Sequence, residues 1–253
     1  MTKVPDITAT LPRGLTSGTV DAMAALVGEI AARPLAAPPW LAPALLFADP
    51  DLQVRLDLPR PGPDEVLIHE HQSLEIAAPL PLDTPLTAAV TTKRDAGMAD
   101  YRFTLSDAVT LGTVLRLFPL AALADAEPAP FRPQMLKDTA VSGAFAITQA
   151  QTDRYLALSG DGNPIHSDPE AARALGLSAP VVPGVLLLSL VQPAVEAAFP
   201  GARLAMLKCR FMAPLEMGDP FRIALQKRNE GRVRAFLLGA ADRALALADV
   251  RLG

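Results

Sequence analysis

The stretch "YLALSGDGNPIHSDPEAARALG", from Tyr155 to Gly176, places an aspartate and a histidine on one short turn. Residues 160–164 are rich in glycine, asparagine and proline, which bend the backbone or fix its dihedral angles. Asp161 and His166 therefore lie on a constrained segment between two helical patterns. A carboxylate and an imidazole so placed fit a catalytic pair, a metal site or an ordinary turn, and the surrounding sequence is needed to separate these interpretations.

Both helical patterns have recognisable ends. Thr148 and Gln151 form a capping-box pattern, which predicts a helix that begins at about residue 149 and stops at Gly160. Asp168 and Pro169 supply the N-cap and the first residue of the second helix. A loop braced at both ends can hold its side chains in position, as a functional site requires.

Composition limits the classes of protein to which the chain can belong. The 253 residues are 50% hydrophobic, which is enough for two domains of roughly 125 residues each. The formal net charge of −4 argues against a broad nucleic-acid surface. A single cysteine, Cys209, excludes an internal disulfide framework and a cysteine-rich zinc site. Cys209 lies in a strand-like run and is expected to be a core residue.

No segment of the sequence has the pattern of a membrane span or a secretory signal. The N-terminal residues "MTKVPDITATLPRG" are polar, without an apolar run behind a basic start. The most apolar stretch, residues 180–199, is interrupted by Gln192, Pro193 and Glu196 and is too short to cross a bilayer. We expect a soluble cytoplasmic protein.

The sequence contains an internal echo. Residues 213–228, "APLEMGDPFRIALQKR", align with residues 78–94, "APLPLDTPLTAAVTTKR". Strand-like runs precede and follow each segment, and an apolar helix candidate lies further upstream of each, at 38–48 and at 182–191. The same order of elements occurs twice, which favours a duplication.

The predicted fold class is α+β, with a curved antiparallel sheet wrapped around one central helix, present twice. Apolar and polar residues alternate over 207–211 and 221–227, the pattern of antiparallel strands with one buried face. An apolar helix must cover that face. The proline- and alanine-rich stretch after the first set of strands is the predicted linker. The predicted domains are an N-terminal repeat over 1–125, a linker over 126–138 and a C-terminal repeat over 139–253.

The stretch "SGDGNPIHSDPEAARALGLSAPVVPGVLLLSL" resembles the signature of the MaoC-like (R)-specific enoyl-CoA hydratases and 3-hydroxyacyl-thioester dehydratases. The resemblance covers about 135–253 and implies a hot-dog fold in which the first half is the degenerate repeat of two-domain members, lacking the catalytic loop. The matching residues are Tyr155, Ser159, Gly160, Asp161, Asn163, Pro164, Ile165 and His166.

The resemblance also implies a mechanism. Asp161 and His166 would hold a water molecule over the β-carbon of a trans-2-enoyl thioester and share the proton transfers. The backbone N–H of Gly184, at the start of the central helix, would donate to the thioester oxygen as it gains negative charge. This chemistry requires neither a redox cofactor nor a metal.

Two prolines depart from the family pattern. Pro183 stands where the family commonly has histidine, and it leaves the Gly184 amide intact. Pro193 removes a backbone donor for the Ser189 carbonyl, so a kink or break is expected there. Ser189 and Gln192 are then predicted to face the substrate pocket, together with Pro183.

Asn163 is also assigned to the substrate site, with the main task of holding the loop together. A metal site formed by Asp161, His166 and Asp168 is disfavoured, because the ligands are few and no second histidine or cysteine lies nearby. His69 and His71 lie on one strand face in "HEHQ". They fit half of a metal site, but strand histidines near a domain interface are favoured because no third ligand is evident.

The expected partner is an acyl-CoA thioester or, less favoured, an acyl carrier protein thioester, without nucleic acid or membrane. A homodimer and an intramolecular pseudo-dimer both remain open. Basic side chains near the second set of strands fit either the phosphates of coenzyme A or a solvated outer face. They are Lys208, Arg210, Lys227 and Arg228.

Three alternative functions remain open at this point. They are a hot-dog acyl-CoA thioesterase, a mesaconyl-type hydratase of branched or dicarboxylic enoyl-CoA, and a non-catalytic acyl-thioester binding protein. A thioesterase would hydrolyse the thioester instead of hydrating the double bond. A binding protein would show affinity without turnover.

Overall fold

A computed structural model describes residues 2–120 and 133–253 of the chain. The first of these ranges contains five strands, two α-helices and one 3₁₀ helix. In chain order they are β1 (Thr2–Leu11), α1 (Ser17–Ile30), a 3₁₀ helix (Ala42–Ala48), α2 (Pro50–Leu56), β2 (Glu65–Ile76), β3 (Leu86–Asp95), β4 (Met98–Leu105) and β5 (Val109–Pro119).

The second range repeats the arrangement of helices followed by strands. Its regular elements are β6 (Thr139–Val141), α3 (Gln149–Ser159), α4 (Pro169–Ala174), α5 (Gly184–Ser189), α6 (Val191–Ala198), β7 (Leu204–Phe211), β8 (Arg222–Asn229), β9 (Arg232–Leu238) and β10 (Ala244–Leu252). Short 3₁₀ turns lie at Pro133–Leu136, Pro164–His166 and Ala240–Asp242.

The ten strands of these two ranges form one antiparallel sheet in the order β1-β3-β4-β5-β2-β7-β10-β9-β8-β6. The order from β1 to β2 reappears in reverse from β7 to β6, with each strand replaced by its counterpart five strands later. The two sets meet where β2 pairs with β7, from His71 opposite Arg210 to Glu75 opposite Met206. This topology matches the predicted repeat of a helix-covered antiparallel sheet, so the α+β class is confirmed.

The division into domains 1–125, 126–138 and 139–253 stays a proposal. Residues 126–132 of the predicted linker lie outside the described residues. The remainder of that linker includes the 3₁₀ turn at Pro133–Leu136. Because β2 and β7 are hydrogen-bonded neighbours, the two repeats share one continuous sheet.

The central helix of the second repeat is broken, as expected from Pro193. Helix α5 ends at Ser189 and α6 begins at Val191, with Leu190 between them. Pro193 has no N–H to donate to the carbonyl of Ser189, and its ring crowds that carbonyl. Leu186 and Leu187, in the first segment, are almost fully buried against the sheet.

The first repeat has a weaker central element than predicted. The apolar helix expected over 38–48 is a 3₁₀ helix confined to Ala42–Ala48. It begins four residues later than predicted and ends at Ala48 as predicted, because the residue before Pro50 avoids the helical region and Asp49 is extended. Asp49 then caps α2 by accepting a hydrogen bond from the Leu52 amide.

Alternation along β8 is less regular than the sequence predicts. Ile223 and Leu225 face the core, but Ala224 is fully buried as well. Ala224 packs with Phe236 and Leu238 on the other face of the sheet, where Leu136 of the 3₁₀ turn partly covers them. A sheet face that another segment covers no longer needs polar residues.

A hydrogen-bonded clasp joins the segment before the first 3₁₀ helix to α6. The Gln192 carboxamide accepts from the Trp40 amide at 2.7 Å and donates to the Ala37 and Pro38 carbonyls at 3.1 Å. It also donates to Glu196 at 2.8 Å, and the Glu196 carboxylate accepts from the Ala36 amide. Both side chains are buried, so the clasp links the two repeats away from water.

Within residues 2–120 and 133–253, no helix is both long enough and apolar enough to span a membrane.

We predict that Gln192→Leu lowers the free energy of unfolding by about 2 kcal/mol or more, because it leaves the buried Trp40 amide and its neighbouring carbonyls without their hydrogen-bond partner. Urea denaturation measures the change. Gln134→Leu is the control, since Gln134 is exposed; it should change stability by less than about 0.5 kcal/mol. Equal effects of the two substitutions would contradict the proposed contribution of the clasp.

Candidate active site

The predicted pair, Asp161 and His166, is brought together in the structure. Asp161 Oδ2 lies 3.6 Å from His166 Nε2. The His166 side chain is 9% exposed and the Asp161 side chain 38%, so the pair is reached from the Asp161 side. A carboxylate and an imidazole in this position can share proton transfers with a molecule bound between them.

One hydrogen bond sets the orientation of the His166 ring. Its Nδ1 lies 2.8 Å from the carbonyl oxygen of Val181. A carbonyl only accepts, so Nδ1 must carry the proton and donate it. In the neutral ring, Nε2 then has a free electron pair directed towards Asp161, which suits a general base. The Val181 amide donates in turn to the Ile165 carbonyl at 3.0 Å.

Local hydrogen bonds hold the Asp161 carboxylate and the turn around it. Asp161 Oδ1 accepts from the Asn163 amide at 3.0 Å, which leaves Oδ2 facing His166. The Asp161 amide donates to Ser159 Oγ at 3.3 Å. Asn163 Oδ1 accepts from the Ile165 amide at 3.4 Å and so caps the 3₁₀ turn. The structure therefore gives Asn163 the loop-holding contact expected of it.

The helix boundaries on both sides of the loop agree with the sequence. The capping box at Thr148 and Gln151 is present, and α3 ends at Gly160 with a left-handed φ of 61°. A Cβ at Gly160 would lie 3.2 Å from the Ala48 Cα, so the close approach also requires glycine. Asp168 caps α4 by accepting from the Glu170 amide at 2.8 Å. This contact uses Asp168 as a cap, as its sequence position predicts.

Tyr155 supports the loop from within α3. Its side chain is buried, and burial raises the pKa of the Tyr155 phenol far above its usual value, with the Asp161 charge adding to the rise. Tyr155 therefore stays neutral, and it hydrogen-bonds to Ser159. Ser159 accepts from the Asp161 amide, so Tyr155 stabilises the turn through Ser159.

The start of α5 is tied to the same loop. Pro183 is the N-cap residue and its carbonyl accepts from the Leu187 amide at 3.0 Å. Two residues before Pro183, the Val181 carbonyl accepts a hydrogen bond from the His166 ring. This bond holds the ring close to the chain segment that leads into Gly184. A Cβ at Gly184 would lie only 3.0 Å from two ring atoms of Phe211. A side chain at position 184 would therefore require the Phe211 ring to shift by a few tenths of an ångström.

Two residues predicted for the substrate pocket have other contacts. Gln192 is 2% exposed and its carboxamide forms the clasp described above. Ser189 is buried and its hydroxyl donates to the Leu186 carbonyl at 2.6 Å. These contacts do not support the pocket role predicted for Gln192 and Ser189, because both side chains bind groups of the protein itself.

A histidine of the N-terminal repeat lies close to the pair. The His69 ring packs on the Phe211 ring with centroids 4.8 Å apart, and its Nε2 lies 3.0 Å from the His71 carbonyl oxygen. Burial lowers the pKa of His69 to about 4, although the charge of Asp161 acts in the opposite direction. His71 is 44% exposed and lies 3.7 Å from Glu70, so the two histidines have different surroundings. The sequence shows both histidines in "HEHQ", but it does not show the strand pairing that brings His69 against Phe211.

The remaining candidates for a functional site are a metal site, a cavity and a set of four basic residues. Among the described residues, no group of three or more histidine, cysteine, aspartate or glutamate side chains is placed to hold a metal ion. A cavity of about 480 Å³ lies between α1 and residues 34–39, and its lining includes no residue of the Asp161 loop. The four basic residues considered for phosphate binding, Lys208, Arg210, Lys227 and Arg228, are exposed.

Comparison with known proteins finds similarity over part of the sequence. Residues 134–244 match the model of the MaoC like domain. The chain is 38% identical over 65 residues to the mitochondrial 3-hydroxyacyl-[acyl-carrier-protein] dehydratase of Arabidopsis thaliana, covering 26% of this chain and 39% of that protein. It is 34% identical over 89 residues to 3-hydroxyacyl-thioester dehydratase X of Mycobacterium tuberculosis, covering 35% of this chain and 31% of that protein. The chain thus matches less than half the length of these relatives.

Likeness to a solved structure extends over nearly the whole chain. The crystal structure of HtdX from Mycobacterium tuberculosis superposes with a TM-score of 0.73 and 23% identity, covering 97% of this chain and 99% of that one. At this identity the likeness shows the fold, and it confirms the double hot-dog predicted from the sequence. Residues 134–244 therefore match the MaoC like domain, within a chain that has a double hot-dog fold.

Proposed function

We propose that the chain catalyses the reversible hydration of a trans-2-enoyl thioester to a 3-hydroxyacyl thioester. The observation that carries the proposal is the facing arrangement of Asp161 Oδ2 and His166 Nε2 at 3.6 Å. The hydrogen bond from His166 Nδ1 to Val181 adds to it, because it presents a basic nitrogen to the carboxylate. The match to the MaoC like domain and the dehydratase names of the relatives support the same reaction class.

Hydration starts from a water molecule held between Asp161 and His166. The water oxygen bonds to the β-carbon of the conjugated double bond, and the proton that it loses passes to the pair. The electron pair of the double bond moves towards the thioester carbonyl, and the α-carbon then receives a proton from the pair. The net change is addition of one hydrogen and one hydroxyl group, and the reverse sequence is dehydration. No oxidation or reduction accompanies it, so the reaction needs no redox cofactor.

The thioester oxygen gains negative charge as the enolate forms. The proposal places this oxygen at the Gly184 N–H, at the start of α5, where helix amides favour an anion. A fixed donor aimed at developing charge is often a large part of catalysis. Val181 links this helix start to His166, which supports a common site for the pair and the donor.

The carrier, the assembly and the location belong to the same proposal. Coenzyme A is the favoured carrier, with acyl carrier protein as the alternative, and exposed Lys208 and Arg210 suit a phosphate-bearing partner. The join of β2 to β7 supports the intramolecular pseudo-dimer, while a homodimer remains a prediction. The cytoplasmic location also remains a prediction.

A panel of trans-2-enoyl-CoA thioesters of different length and branching tests the activity directly. Hydration removes the conjugated absorbance, whereas a thioesterase would release free coenzyme A, which a thiol reagent detects. Binding without either signal would indicate a non-catalytic protein. Turnover of only branched or dicarboxylic substrates would indicate the mesaconyl type.

We expect Asp161→Asn and His166→Gln each to reduce kcat by roughly 10²- to 10⁴-fold, because each removes one partner of the proton transfers. Asp168→Asn and His71→Gln are matched controls. Asn still caps α4 at position 168, and His71 lies outside the pair and is 44% exposed. The rate of loss of enoyl absorbance is the measurement, and wild-type rates in both pair variants would refute the assignment.

The Gly184 N–H can be tested with two substitutions that share one steric change. Gly184→Pro removes the N–H, while Gly184→Ala keeps it, and both add a carbon facing the Phe211 ring. Pro183 has ψ 132°, which suits a residue before proline, and proline fits the first helical position.

We expect kcat of Gly184→Pro to be about 10²-fold below that of Gly184→Ala, the usual cost of losing one oxyanion donor. Steady-state kinetics with the best enoyl-CoA of the panel gives the ratio. Equal kcat values in the two variants would remove Gly184 from the mechanism.

A further inference from the structure

The strand pairing at the centre of the sheet brings the N-terminal repeat into the site. The β2–β7 register begins at His71 opposite Arg210. In an antiparallel pair, the residues before His71 run alongside those after Arg210. His69 therefore lies next to Phe211, the last residue of β7.

An irregularity in β2 separates the environments of the two histidines. On the β5 side, His69 pairs with Leu115 and His71 with Val114, so Glu70 is an extra residue in β2. Such a bulge breaks the alternation of a strand and re-aims a side chain. Arg116 fixes the bulge by donating to Glu70 at 2.7 Å. The result is an exposed His71 and a His69 packed against an aromatic ring.

The ring on which His69 packs also touches the helix start. Phe211 lies 4.8 Å from His69 between ring centroids, and its Cε1 and Cζ atoms lie 3.0 Å from where a Gly184 Cβ would be. His69 and the start of α5 therefore contact the same aromatic ring. The charge of Asp161 also acts on the His69 imidazole.

The protonation state of His69 follows from its neighbours. Its Nε2 faces the His71 carbonyl at 3.0 Å, and this oxygen can only accept. Nε2 therefore carries the proton, and burial keeps the ring neutral near pH 7. The second nitrogen, Nδ1, then carries the electron pair of the ring and can only accept a hydrogen bond, in a ring that also contacts the Gln72 side chain.

We infer that His69 contacts the substrate, with Nδ1 accepting a hydrogen bond from the 3-hydroxyl group of the hydrated thioester. This inference rests on the proposed function, because the 3-hydroxyl oxygen is the oxygen of the water that Asp161 and His166 activate. The N-terminal repeat, which lacks the Asp161–His166 loop, then supplies one polar group to the single site of the C-terminal repeat. Its effect is selection of the 3-hydroxyacyl thioester over a saturated acyl thioester without the hydroxyl.

Asparagine and glutamine separate this role from a purely structural one. At position 69, the amide of Asn lies near the place of Nδ1 and can accept from the hydroxyl. The amide of Gln lies near the place of Nε2 and can keep the bond to the His71 carbonyl. If His69 binds the substrate, His69→Asn should retain more 3-hydroxyacyl-thioester binding than His69→Gln. If His69 only stabilises the strand, His69→Gln should be the better replacement.

The experiment measures binding in Asp161→Asn protein, so that turnover does not consume the ligand. Calorimetry compares a 3-hydroxyacyl-CoA with the saturated acyl-CoA of the same length. We expect His69→Gln to weaken 3-hydroxyacyl-CoA binding about tenfold, the usual effect of one lost hydrogen bond, and to leave saturated acyl-CoA binding unchanged. His69→Asn should restore most of the difference, and His71→Gln should affect neither ligand.

Each other outcome has a distinct meaning. If His69→Gln weakens both ligands equally, or neither, the hydroxyl contact is refuted. If wild-type protein hydrates an enoyl-CoA while this binding difference is absent, the inference fails and the proposed function stands. If the wild type neither binds these thioesters nor turns over any enoyl-CoA, the proposed function fails first. Retained binding of the saturated ligand shows that the variants are folded.

The protonation state can be checked separately by nuclear magnetic resonance, because the chain has only three histidines. We expect the His69 ring to remain neutral from pH 8 to below pH 5 and to titrate near its lowered pKa of about 4. The His69→Gln spectrum assigns its resonances by their loss. A His69 midpoint well above pH 7 would contradict the acceptor role, since Nδ1 would then carry a proton at neutral pH.

Discussion

The hydrogen bond from His166 Nδ1 to the Val181 carbonyl is the constraint on which the candidate site depends. It selects the ring nitrogen that faces Asp161, and it joins the loop after α3 to the segment that starts α5. Without it, the ring could rotate or change tautomer, and the carboxylate would face a donor instead of a base. The remaining contacts of the turn, from Tyr155 through Ser159 to the Asp161 amide, hold the Asp161 carboxylate in a position that faces this nitrogen.

A second level of organisation is the pairing of β2 with β7, which makes one sheet from two repeats. The repeats have the same strand order but different helices. The second has the broken central helix α5–α6, whereas the first has a 3₁₀ helix and α2 in the corresponding part of its sequence. The Gln192 clasp gives a further link between them, on the helical side of the sheet. The fold therefore combines a symmetric sheet with an asymmetric helical layer.

Local chemistry explains which features could be predicted from the sequence. The helix caps, the stop of α3 at Gly160 and the break caused by Pro193 depend on a few neighbouring residues, and the sequence predicts each at its position. The Asp161–His166 pair was predicted through a compact motif for the same reason. Gln192 differs because its partners lie about 150 residues away in sequence, as the separation of 152 from Trp40 shows. The position of His69 likewise depends on pairing with a distant strand and on a bulge, and no local sequence pattern predicts either of them.

Joining the repeats in one chain also removes a restriction that a symmetric dimer of identical subunits has. In such a dimer, every substitution appears twice, so a position cannot serve proton transfer on one side and selectivity on the other. Here the two copies can diverge independently, and the difference between the broken α5–α6 helix and the 3₁₀ helix of the first repeat is one product of that freedom. The proposed site then implies a stoichiometry of one ligand for each polypeptide, whatever the number of chains in an assembly.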